Sequence, residues 1–159
     1  MLQSELSDLQ KVSSVLYDTK SALNEFGMLG PQAATVSPSI LLHAIQKAEN
    51  FDKGALEGAL VYAKEKEEGE TMSKEAKLEL IIDKATVNLA AKFAARVDGR
   101  VSVEVDAKKS SAEAIVSKTE RLMKMFREVN VETNKLLFKI PATWEGVQAM
   151  RQLENKGVP

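Results

Sequence analysis

The segment Arg100–Ala107, RVSVEVDA, alternates strictly along its length. Side chains on a strand point to opposite faces in turn, so Val101, Val103 and Val105 share one face. Arg100, Ser102, Glu104 and Asp106 share the other. Helical patterns flank this strand, at 73–96 and 110–129. A strand set between helices belongs in a parallel sheet, and a parallel strand covered on both faces should be apolar on both. This one is valine on one side and largely charged on the other. Two architectures satisfy that conflict: a parallel barrel whose interior receives the polar face, or an open sheet with one solvated face.

The same pattern recurs along the chain. SSVLYD (13–18) reads as a strand with Asp18 on the face of Ser14 and Leu16, and Val15 and Tyr17 opposite. KLLFKI (135–140) reads as another, with Lys139 on the face of Lys135 and Leu137, and Leu136, Phe138 and Ile140 opposite. PQAATV (31–36) is a short extended segment. Helical patterns cover 2–11, 20–28, 38–49, 51–68, 73–96, 110–129 and 144–155. Pro38 stands in the favoured first-turn position, and Thr143 can cap the last helix. On 73–96, Leu78, Ile81, Ile82, Ala85, Leu89 and Phe93 form the expected inward stripe. Strands and helices alternate throughout, so the expected class is α/β, with residues 1–159 as a single domain. In the barrel reading the polar faces point inward, and the C-terminal strand ends form the mouth. Asp18, Glu104, Asp106 and Lys139 then converge on one cavity.

Composition removes several kinds of chemistry. There is no cysteine, so thiolate metal sites and thiol catalysis are excluded. His43 is the only histidine, and its helical position reads as packing rather than ligation. The formal net charge of −1 offers no general attraction for nucleic acid or an anionic membrane. No apolar run approaches the roughly 20 residues of a membrane span. The opening MLQSELSDLQ lacks an export pattern, which makes a cytoplasmic location the expectation.

Lys139 is the residue that most needs explaining. An ammonium inside LLFKI is costly to bury unless it finds a partner or sheds its proton. Desolvation favours the neutral amine, which attacks carbonyls to form a Schiff base. Glu104 or Asp18 could move protons as the carbinolamine forms and dehydrates. The imine then acts as an electron sink, so no metal or organic cofactor is required. The alternative is an ion pair between Lys139 and Glu104 or Asp18. Trp144 reads as a cap over the rim or as core filler, and the lysines of AKK (107–109) as a surface pair.

The segments KIPATWEG (139–146), GRVSVEVDA (99–107), PQAATVSPSILL (31–42) and LYDT (16–19) resemble the motifs of the transaldolases, in the order that family has them. The resemblance runs from about residue 3 to the end of the chain. It implies a (β/α)8 TIM barrel and a class I aldolase of the pentose-phosphate pathway. Such an enzyme moves a dihydroxyacetone unit from a ketose phosphate to an aldose phosphate. It implies Lys139 as the Schiff-base nucleophile and Glu104 as the acid that handles protons through a water. Asp18 would assist carbon–carbon cleavage, and Thr35 would be an active-site threonine.

Two departures from the family pattern stand out. TVSPS (35–39) has Ser37 where an asparagine is usual, and Ala33 stands where an aspartate is usual. A serine is shorter and carries one donor, which puts the contact of Ser37 with substrate in question. The larger departure is length, since a complete barrel needs about 250 residues. About four of the eight strands are expected here, and activity of the chain alone is expected to be weak or absent. A second copy, or a separate C-terminal half, would close such a barrel. A decayed paralogue serving as a binding or assembly module is the alternative.

Overall fold

The computed structural model describes residues 2–18, 30–47, 50–69, 71–105 and 111–159. Four parallel strands form one sheet in the order β1 (Leu16–Tyr17), β2 (Ala33–Val36), β3 (Val101–Glu104) and β4 (Leu136–Lys139). The helices are α1 (Leu2–Val12), α2 (Pro38–Lys47), α3 (Asn50–Glu67), α4 (Lys74–Ala94), α5 (Ala112–Glu128) and α6 (Trp144–Asn155). This is the α/β class expected from the alternating pattern, and sequential strands lie side by side as in part of a (β/α)8 barrel. The helix anticipated at 20–28, Asp106 and the two lysines of AKK lie outside the described residues.

Local chemistry explains where these elements begin. Ser73, Ser111 and Thr143 each accept a hydrogen bond from the backbone N–H three residues on, at 3.2, 3.1 and 3.1 Å, capping α4, α5 and α6. The strand anticipated at 13–18 shortens to Leu16–Tyr17. Its join to β2 is made by Gln32, whose backbone N–H donates to the Val15 carbonyl at 2.9 Å. The side-chain oxygen of Gln32 in turn accepts the Val15 N–H at 2.6 Å.

The apolar face of the sheet carries the core. Tyr17, Ala34, Val36, Val101, Val103, Val105, Leu136 and Phe138 are all buried there. Leu89 and Phe93 of α4, Ile115, Leu122 and Phe126 of α5, and Ala149 and Leu153 of α6 pack into the same core. One expectation needs correcting. Ala85, Leu89 and Phe93 point inward, but Leu78 is 58% exposed and Ile82 is exposed as well. The stripe is right in direction but runs past its cover. A helix of 21 residues is about 32 Å long, whereas the four-residue strands beneath it span about 13 Å.

The helical layer also holds charge that the apolar pattern concealed. Asp83 of α4 is buried and pairs with both Lys118 and Arg121 of α5. Glu79 completes the cluster, 2.7 Å from Arg121 and 3.2 Å from Lys118. Burial weakens the guanidinium's hold on its proton, but Asp83 and Glu79 outweigh it and move Arg121 upward from its ordinary pKa. Nearby, Lys84 pairs with Glu128 at 3.3 Å and stands 4.3 Å over the ring of Tyr62.

After α6 the chain returns to the outer edge of β4. There the Phe138 N–H donates to the carbonyl of Pro159 at 3.1 Å. Among the described residues, no helix is long and apolar enough to cross a membrane.

Candidate active site

The polar face of the sheet is built by strand register. Thr35 is level with Ser102, and Ser102 with Leu137. One layer further toward the C-terminal ends, Glu104 is level with Lys139. Register partners on parallel strands project from the same side, so Thr35, Ser102, Glu104 and Lys139 share the face opposite the valines. Ser37 follows the last paired residue of β2, Val36, and so continues the layer of Glu104 and Lys139. Asp18 follows Tyr17 in the same way and continues the layer of Thr35.

The structure therefore brings Glu104 and Lys139 together directly. Asp18 is exposed and stands on the far strand, three strand spacings or about 14 Å away along the sheet. A group placed there can act only on the other side of a bound molecule. Thr35 is buried, and Ser37 is half-buried. Ser102 shares the face and is buried beside Thr35, although its place in the alternation of RVSVEVDA was the only sign of it.

Ser37 already has local work. Its hydroxyl oxygen accepts the Ile40 N–H at 3.4 Å, at the start of α2, and lies 3.0 Å from the hydroxyl of Ser39. His43, on the same helix, is half-buried, as its packing role suggested.

Lys139 is half-buried rather than enclosed. The neighbours on its face stay open to solvent, with Leu137 39% and Leu16 47% exposed. The four strands thus leave this face open and do not enclose Lys139 as the apolar run suggested. Among the described residues, the Lys139 side chain has no hydrogen-bond or ion-pair partner, so the pair with Glu104 or Asp18 does not form here. Lys135, four residues earlier and just before β4 begins, is committed to structure. Its ammonium donates to the carbonyls of Val97 and Asp98 at 3.1 and 2.8 Å.

The loop after Lys139 is held by close packing. The Pro141 carbonyl accepts the Thr143 N–H at 2.8 Å. A side chain on Gly146 would collide with that same carbonyl oxygen, and its Cβ would lie 3.3 Å from Ile140 Cγ2. A glycine inside a helix costs about 1 kcal/mol relative to alanine, and here the close approach explains why it is kept. Trp144 is 74% exposed and on the side of α6 away from buried Gly146, Ala149 and Leu153, so of its two expected places the core is excluded.

Among the described residues, no group of three or more histidine, aspartate or glutamate side chains is placed to hold a metal ion. A cavity of about 410 Å³, lined in part by Ala94, Val131 and Lys135, opens at the other end of the sheet, near the start of β4.

Comparison with known proteins bears on this face. The family model described as transaldolase/fructose-6-phosphate aldolase matches residues 19–159. The chain belongs to that family. It is 32% identical over 155 residues to a transaldolase of Photorhabdus laumondii, covering 97% of this chain and 47% of that protein. It is 33% identical over 162 residues to a transaldolase of Protochlamydia amoebophila, covering 99% of this chain and 47% of that protein. A transaldolase of Yersinia pseudotuberculosis serotype O:3 is 31% identical over 155 residues, again with 47% of its length covered. The chain spans about half the length of the curated relatives it matches.

Proposed function

We propose that residues 1–159 form a single domain that supplies the Schiff-base half of a transaldolase-type site. The observation that carries this reading is the pairing of Lys139 with Glu104 on the polar face of parallel strands in a transaldolase-family chain. In this mechanism the Lys139 amine attacks the carbonyl carbon of a ketose phosphate, sedoheptulose 7-phosphate or fructose 6-phosphate. Glu104, through a water, gives a proton to the departing hydroxyl as the carbinolamine loses water and the imine forms. Asp18 takes the proton of the hydroxyl next to the scissile bond. That bond breaks, an aldose phosphate leaves, and its electron pair is held as an enamine on Lys139. Addition of the enamine to a second aldose phosphate, followed by hydrolysis, returns the free amine. Thr35 and Ser37 contact the substrate from β2 and its end.

The reaction belongs to the pentose-phosphate pathway, in the cytoplasm. Efficient turnover requires the barrel to be completed by a C-terminal half, or by a second copy, because positioning of the substrate carries much of the rate. The open face around Leu16, Leu137 and Lys139 supports that requirement. Ser37, in place of the family's asparagine, favours a second reading, a non-catalytic paralogue that serves in assembly.

The test combines this chain with the remaining half of the Photorhabdus relative and follows conversion of fructose 6-phosphate and erythrose 4-phosphate into sedoheptulose 7-phosphate. Transfer that disappears in Lys139→Ala supports the catalytic reading. A stable complex without transfer supports the assembly reading and overturns the catalytic one.

A further inference from the structure

We infer that Gly146 is a positioning residue for Lys139; the inference rests on the Schiff-base reading of that lysine. Gly146 is seven residues from Lys139 and touches no part of the polar face, yet three contacts join the two. The Gly146 backbone leaves no room for a Cβ against the Pro141 carbonyl oxygen, and the Pro141 carbonyl carbon would lie 3.1 Å from one. Ile140, next to Lys139, would have its Cγ2 3.3 Å from that Cβ. On the opposite side of the strand, the Lys139 carbonyl accepts the Val105 N–H at 2.8 Å.

Lys139 is therefore the last residue of β4, held on one side by β3 and followed at once by a loop pressed onto the first turn of α6. Thr143 fixes that turn, since its hydroxyl oxygen accepts the Gly146 N–H at 3.1 Å and its own N–H donates to Pro141. The partner at Gly146 is a backbone carbonyl, which has no alternative rotamer through which to yield. A methyl group at position 146 must displace either the start of α6 or Ile140–Pro141, and the second displacement tilts the end of β4. The Lys139 amine then loses its aim at a carbonyl carbon while remaining a free amine.

The experiment compares Gly146→Ala with Gly54→Ala in the full chain joined by its complementing half. At Gly54 an added Cβ meets only the end of the Lys92 side chain, at 3.7 Å, an ordinary van der Waals contact. Three signals are read: the Val105 amide in a nitrogen–proton correlation spectrum, borohydride trapping of dihydroxyacetone on Lys139, and reductive methylation of Lys139 by formaldehyde. In Gly146→Ala the Val105 amide moves, and trapping falls on the order of tenfold to a hundredfold. Methylation, which needs no aim, persists, and Gly54→Ala matches the parent in all three. A folded Gly146→Ala chain with an unmoved Val105 amide, or with full trapping, overturns the inference. Should the parent chain, joined by its complementing half, trap no ketone, the Schiff-base reading falls and the Val105 amide decides the positioning claim alone. Should Gly146→Ala fail to fold, Thr143→Ala takes its place, and a Val105 amide unmoved in that variant overturns the inference.

Discussion

Glu104 and Lys139 are register partners on neighbouring parallel strands, with the backbone of Lys139 bonded to the residue after Glu104. Their side chains leave the sheet together, opposite a wall of valines. An acid one strand away can serve a reacting amine through a single water without neutralising it. Glu104→Gln should therefore slow imine formation at Lys139 by about 10²- to 10⁴-fold, the usual worth of general acid–base help. Because Glu104 is only partly buried, the melting temperature should hardly change. Trapping rates and thermal melts of the two chains check both halves of that statement.

Gly99 stands where β3 begins, and its N–H donates to the Gln32 carbonyl at 2.8 Å. A Cβ there would lie 2.5 Å from the same oxygen. Gly99→Ala should destabilise the fold by about 1–3 kcal/mol, the typical cost of overpacking. Urea unfolding measures it, and the loss should appear as a lower midpoint with little change in slope.

Asp83 is the acid shared by Lys118 and Arg121 between α4 and α5. Asp83→Ala strands the buried Lys118 ammonium with Glu79 as its remaining partner. A loss of about 3–5 kcal/mol is expected for breaking a buried pair on one side. Replacing both partners, Asp83→Leu with Lys118→Met, should recover most of that loss, and a double-mutant cycle by urea unfolding would show it.

Tyr62 is raised to a pKa of about 12, chiefly by burial and then by its hydrogen bond to Glu128 and the charge of Glu128. A phenol with a raised folded pKa contributes stability that is fully present below its ordinary value of 10.0 and is lost as pH climbs through about 12. Alkaline unfolding should therefore steepen between those two values. Glu128→Gln should bring the phenol's ultraviolet titration part of the way down, with burial holding the remainder.

Much of this architecture was legible before any coordinates. The valines of Val101, Val103 and Val105 marked both a strand and its buried face, because a period of two admits one assignment of sides. The lysine in LLFKI pointed to the polar face, and register then set it beside Glu104. What stayed hidden depends on distances between elements. The period of α4 gave the direction of Leu78 and Ile82 but not where the sheet beneath them stops. Asp83 and Lys118 find each other only once α4 and α5 are packed, although the spacing Glu79–Asp83 against Lys118–Arg121 on successive helices was a usable sign. Gly146 looked like an ordinary letter of a motif until the Pro141 carbonyl appeared against it. Of the two places open to Trp144, rim cap or core filler, the core is taken by the inward stripe of Gly146, Ala149 and Leu153.

The most direct test of the central claim is covalent. The chain, joined by its complementing half, is incubated with fructose 6-phosphate, reduced with borohydride, digested and mapped by mass spectrometry. The account predicts a reduced sugar adduct on Lys139, absent from Lys135 and abolished in Lys139→Ala. An assembled complex that carries no adduct on Lys139, or carries it equally on surface lysines, contradicts the account.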